Sequence, residues 1–249
     1  MRSLMVRLIA LPLVALALLM LPTEAQGSCG FPSAGALLTS DVHPMRARVY
    51  LFVIKGRRRP VYEAKDSQGR LIPITWRTMS ESLNFDVYRL EFRPMLPGVV
   101  VLSSPEEPGR TTGIVVSERW KPEAPDVPVR ILEQDFSYVD GCPYEHTRDL
   151  FVSLVAPLYR VTFASSREDY LAGRTRSLLI PGRADSRDGV KTGRGLVQLG
   201  DIACFSDSFD WKKEPVFLGV TALLADGSET PLPAEPVRVE PPPKPERMY

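Results

Sequence analysis

Phe85-Asp86-Val87-Tyr88-Arg89-Leu90-Glu91-Phe92 is the stretch on which the fold turns. Apolar and polar residues alternate along it almost without a break, the pattern of a β-strand with one face in water. Upstream, Arg48-Val49-Tyr50-Leu51-Phe52-Val53-Ile54 is dense in β-branched and aromatic residues, and Lys55-Gly56-Arg57-Arg58-Arg59-Pro60 breaks it. Val61-Tyr62-Glu63-Ala64 and Leu71-Ile72-Pro73-Ile74-Thr75-Trp76 flank Asp66-Ser67-Gln68-Gly69, which reads as a hairpin turn. Gly98 to Leu102 and Gly113 to Val116 supply two more strands. Six or seven short strands in about 75 residues is the spacing of a β-sandwich.

Proline supports an all-β reading. The chain holds 24 of them, about twice ordinary usage. Proline lacks an N–H and fixes φ, so it breaks helices and is tolerated in turns and at strand ends. A helical bundle is excluded on that ground. Three of the prolines crowd residues 118–128, Glu118 to Pro128, which reads as a stiff, extended linker.

The second half repeats the theme. Val129 to Glu133, Leu150 to Ala164, Ser177 to Ile180, Gly195 to Leu199 and Val216 to Leu224 read as strands. Ser166-Arg167-Glu168-Asp169 resembles a capping box, predicting one short helix over Arg167 to Ala172 stopped by Gly173. Ala225-Asp226-Gly227-Ser228 reads as a last hairpin, and Pro181 to Gly195 as the longest loop.

Tyr88-Arg89-Leu90, followed by Met95-Leu96-Pro97-Gly98-Val99-Val100-Val101, resembles the corner of a fibronectin type III or bacterial Ig-like module. Met95 takes the leucine position of that corner and Val101 the position of its tyrosine. The resemblance implies an all-β chain of two tandem Ig-like/fibronectin-III-like β-sandwiches with at most one short helix. The expected organisation is a signal peptide over 1–25, a first module over 26–117, the linker at 118–128, a second module over 129–239 and a proline-rich tail at 240–249.

The signal peptide rests on Arg2 and Arg7, the apolar run Leu8 to Leu21 and the small residues near Ala25. It predicts a periplasmic or extracellular protein. Arg2, Arg7 and Glu24 leave with the signal, and basic and acidic residues then balance. A nucleic-acid partner is thereby disfavoured, since phosphate binding needs a basic surplus. No second apolar run approaches the ~20 residues of a membrane span.

Three cysteines are present. Cys142 and Cys204 fall in the same module and are expected to form a disulfide, which in an exported chain stabilises a long loop. Cys29 follows Gln26-Gly27-Ser28, a loose lipobox, and is the candidate for lipidation. A zinc set would have to draw on Cys142, His146, Cys204 and the only other histidine, His43, without the tight spacing zinc requires. Asp201, Asp207 and Asp210 are acidic but match no calcium-loop spacing. No metal or cofactor is therefore expected.

There is no G-x-S-x-G elbow, no H-E-x-x-H and no glycine-rich phosphate loop. No catalytic residue is assigned, and His43, His146 and the Arg57-Arg58-Arg59 run read as solvated surface. The expected function is a non-enzymatic binding or structural module of the bacterial periplasm or cell surface, its partner an envelope protein or glycan. The alternatives are a periplasmic hydrolase using carboxylates around Asp201 to Asp210, or a pilus-type chaperone.

Overall fold

The computed structural model describes residues 36–40, 42–79, 85–106, 111–121, 126–139, 145–187, 190–200 and 214–241. The strands of the first half are β1 (Ala36–Leu38), β2 (Val42–His43), β3 (Ala47–Ile54), β4 (Glu63–Lys65), β5 (Leu71–Ile72), β6 (Ile74–Met79), β7 (Phe85–Phe92), β8 (Gly98–Ser103) and β9 (Thr111–Val116). The second half contributes β10 (Ile131–Val139), β11 (Glu145–Val152), β12 (Leu158–Ala164), the helix α1 (Arg167–Leu171), β13 (Arg176–Pro181), β14 (Arg183–Arg187), β15 (Val190–Gly200), β16 (Val216–Leu223) and β17 (Val237–Val239). They form four sheets, in the orders β1-β3-β7-β6, β2-β9-β8-β4-β5, β10-β11-β15-β14 and β13-β12-β16-β17. Among the described residues every pairing is antiparallel except β2 with β9, which runs parallel.

Three apolar clusters hold the sheets face to face. The first packs Ala47, Val49, Leu51 and Val53 of β3 and Leu90 and Phe92 of β7 against Val100, Leu102, Ile114 and Val116 of β8 and β9. The second joins Leu150, Val152, Val197 and Leu199 to Tyr159, Val161, Leu218 and Val220. The third packs Tyr50, Phe52, Phe85 and Val87 against Leu158, Leu179 and Leu223, and so ties the two halves into one body. Alternate residues of β3 serve different cores, which is why this strand reads as a continuous apolar run rather than an alternating one.

That third cluster corrects the expected fold. A tandem pair of Ig-like/fibronectin-III-like β-sandwiches on a stiff linker would leave one face of Phe85–Phe92 in water. Here Phe85 and Val87 are buried on that face, against the second half. The described chain is instead a four-sheet, all-β arrangement with one short helix. In number and size the sheets are those of a four-bladed β-propeller, except that successive strands cross between sheets, as β5 to β6 and β7 to β8 do, before a sheet is complete.

Locally, several sequence signals act as expected. Ser166 caps α1 by accepting the Asp169 N–H at 3.0 Å, and Gly173 ends it at φ +71°. Asp66 closes the β4–β5 turn, accepting the N–H groups of Gln68 and Arg70 on one carboxylate oxygen. The Pro181 to Gly195 loop is a correction, because β14 and β15 pair through most of it. No helix among the described residues is long and apolar enough to cross a membrane, which says nothing of β-barrels. The signal peptide and the last eight residues of the tail lie outside the described residues.

Candidate functional site

A cleft of about 550 Å³ opens where the two halves meet. Thr39, Ser40 and Val42 of the β1–β2 segment and Trp120 and Lys121 after β9 line it from the first half. Ala156 and Pro157 before β12, Gly182 between β13 and β14, and Leu224 and Ala225 after β16 line it from the second.

Its floor is built on one buried tyrosine. The Tyr159 hydroxyl accepts the Ala156 N–H at 2.9 Å and donates to the Leu154 carbonyl at 2.5 Å, holding the bend between β11 and β12 in shape. Burial pushes that hydroxyl's pKa far above the phenol range, so it stays protonated as the bond to Leu154 requires. Gly182 donates its N–H to the Pro157 carbonyl at 2.9 Å, and a Cβ at Gly182 would overlap the Ala156 carbonyl oxygen. Two further bonds fix the floor to the first half. The Arg48 N–H donates to Ala225 O at 3.0 Å, and the Tyr50 hydroxyl to Leu224 O at 3.2 Å. The pKa of Tyr50 is pushed up to about 12 by burial.

Behind the opposite wall lies His43, expected at the surface and found 0% exposed. Pairing of β2 with β9 turns it inward while Val42 faces out. Its Nε2 accepts the Ser40 N–H at 3.1 Å, and its Nδ1 has no hydrogen-bond partner among the described residues. Burial lowers its pKa from 6.5 to about 4. The unfolded chain therefore binds a proton between those values that the folded chain refuses. Stability is full above pH 6.5 and falls as the pH drops toward 4, by up to about 3 kcal/mol. Urea midpoints measured from pH 7.5 to 4 are expected to show this slope, and His43→Gln to flatten it. An unchanged slope in the variant would place its origin elsewhere.

The arginine run at 57–59 is exposed, as expected of a solvated turn, and two of its side chains also make contacts. Arg59 lies over the Trp76 ring at 4.4 Å and the Tyr88 ring at 5.6 Å, while Arg58 is 3.7 Å from Glu106.

Cys29, Cys142, Cys204, Asp201, Asp207 and Asp210 all lie outside the described residues. The expected Cys142–Cys204 disulfide is accordingly not part of the described structure, and no disulfide is found among the described residues. His146 falls in β11, on a different sheet from His43 in β2, so the two histidines do not share a strand pair. No group of three or more His, Cys, Asp or Glu among the described residues is placed to hold a metal ion.

Sequence reasoning missed the cleft altogether. Its residues come from six separate segments, and Trp120 reads in sequence as part of the linker. A tryptophan amid the linker prolines was the available signal.

No protein-family model matches the chain, and no curated protein matches it. Among solved structures, a pullulanase from Anoxybacillus sp. LM18-11 complexed with maltotriose aligns at 11% identity and a TM-score of 0.23, over 76% of this chain and 24% of that one. A type I pullulanase from Bacillus subtilis complexed with maltose aligns at 8% identity and a TM-score of 0.24, over 84% of this chain and 24% of its own. The chain thus spans about a quarter of the length of these structures. At such TM-scores the likeness carries no argument about fold or activity.

Proposed function

We propose that this chain is an exported, non-enzymatic binding module whose ligand, a glycan of the bacterial periplasm or cell surface, sits in the cleft between the halves. The observation that carries this reading is the lining. Trp120 offers a flat apolar face with a polar edge, Thr39 and Ser40 offer hydroxyls, and Lys121 is the charged side chain among the lining residues. Sugar rings present apolar faces and a perimeter of hydroxyls, and this combination suits them. The imidazole nearest the cleft has its Nε2 lone pair committed to Ser40 and stays neutral above about pH 4, which suits a wall better than an acid or base.

Titration with a panel of neutral and acidic oligosaccharides, followed by tryptophan fluorescence and calorimetry, tests the reading. Binding at or below about 1 mM is expected, weakened about tenfold or more by Trp120→Ala. Binding that ignores Trp120→Ala would move the ligand out of the cleft. Turnover of any of these sugars would overturn the non-enzymatic reading.

A further inference from the structure

Arg77 and Arg89 face each other in register across the β6–β7 pair, on the side of the sheet that carries Val87 and Met79 toward the second half. Directly opposed like charges on one sheet face are destabilising unless something lies between them. Glu91 cannot serve. Its two carboxylate oxygens are bonded to Arg46 and, at 2.9 Å, to Arg48. Across the interface, Glu229 is taken by Arg160 and by the Thr221 hydroxyl at 2.6 Å. The Arg89 Nε is buried and has no hydrogen-bond partner among the described residues. A buried charged donor without an acceptor is costly, and such groups are rare where nothing is bound.

We propose that Arg77 and Arg89 form an anion site for a phosphate or sulfate group, the part-buried Arg89 guanidinium supplying a fixed fork of donors and the exposed Arg77 guanidinium closing over it. Guanidinium forks match tetrahedral oxyanions in two-point contacts, and a bound dianion relieves the opposed charges at the same time. The site is distinct from the cleft, and it stands whether or not the cleft takes a glycan. Burial, with the nearby Arg48 and Arg77 charges, lowers the Arg89 pKa, and the Tyr50 and Glu91 charges oppose that shift only in part.

The probes are inorganic phosphate, sulfate and a sugar phosphate, each against chloride at matched ionic strength, read by thermal unfolding and by the arginine Nε–Hε NMR resonances. Saturable stabilisation by phosphate and sulfate is expected, with one Nε–Hε signal shifting along the same isotherm. Arg89→Met is expected to abolish the saturable part, and Arg77→Met to weaken it about tenfold. Arg77 is exposed, so its variant serves if Arg89→Met does not fold. Equal affinity for phosphate and sugar phosphate assigns a free anion, and tighter sugar phosphate assigns a substituent of a larger ligand. A response equal to that of chloride, or one retained in the Arg77→Met, Arg89→Met double variant, overturns the proposal.

Discussion

Gly195→Ala is expected to cost about 3–5 kcal/mol, enough to leave little folded protein in a domain of ordinary stability. Gly195 pairs with Val152 on one side and Ala184 on the other, so the strand cannot move sideways without breaking both ladders. A Cβ there would overlap the Tyr159 hydroxyl and the Leu154 carbonyl, and would press to 2.8 Å from a Val152 methyl. If Tyr159 gives way, the Ala156 N–H and Leu154 carbonyl lose their buried partner, each at about 1–3 kcal/mol. Urea unfolding followed by circular dichroism measures the loss. A midpoint within error of the parent would mean that the Tyr159 anchor is softer than its burial implies. Tyr159→Phe in the same background separates the two causes, since it removes the overlap with the hydroxyl but leaves both backbone groups unpaired.

The second large effect is at the seam. Phe52→Ala is expected to cost about 3–5 kcal/mol and to split one unfolding transition into two. Phe52 is almost fully buried, meets Phe85 edge to face at 5.8 Å, and sits in the cluster that joins the halves. The cores on either side of the seam do not depend on it, so each half retains its own cooperative unit once the seam is loosened. Differential scanning calorimetry distinguishes the outcomes. A single transition at a lower temperature would show that the Arg48–Ala225 and Tyr50–Leu224 bonds suffice to keep the halves cooperative.

Much of the secondary structure was legible because it follows local rules. The Ser166 cap, the Asp66 turn and the alternation of Phe85–Phe92 each depend on residues within a few positions of one another. What that alternation could not reveal is where its second face goes. Asp86, Arg89 and Glu91 make the strand look half wet, yet Phe85 and Val87 on the same strand are covered by Leu158, Leu179 and Leu223, far away in the chain. The clue lay in Arg48–Ile54, apolar at both parities, which only a strand buried on two faces requires. The pair β14–β15 was missed for the opposite reason. Arg183, Ser186, Lys191 and Arg194 give it no apolar period, and its backbone pairing rather than its side chains defines it. His43, followed by Pro44, reads in sequence as a surface turn residue. Its burial follows from a two-residue pairing with Val115 and Val116, more than seventy positions later. The cleft is of the same kind, assembled from loops that no motif connects.

The parallel pairing of β2 has a consequence for how the chain avoids itself. β1 lies along β3 and β2 along β9, so one short segment covers the open borders of two sheets at once. Stripped of it, β3 would open its border at Tyr50, Leu51 and Phe52, in the middle of an eight-residue strand, and β9 would open its own at Val115 and Val116. Free borders of that length recruit strands from other molecules. β1 and β2 therefore act as a guard against self-association. Trimming them would first be felt as fibrils or swapped dimers, while the sheets they shield remained intact.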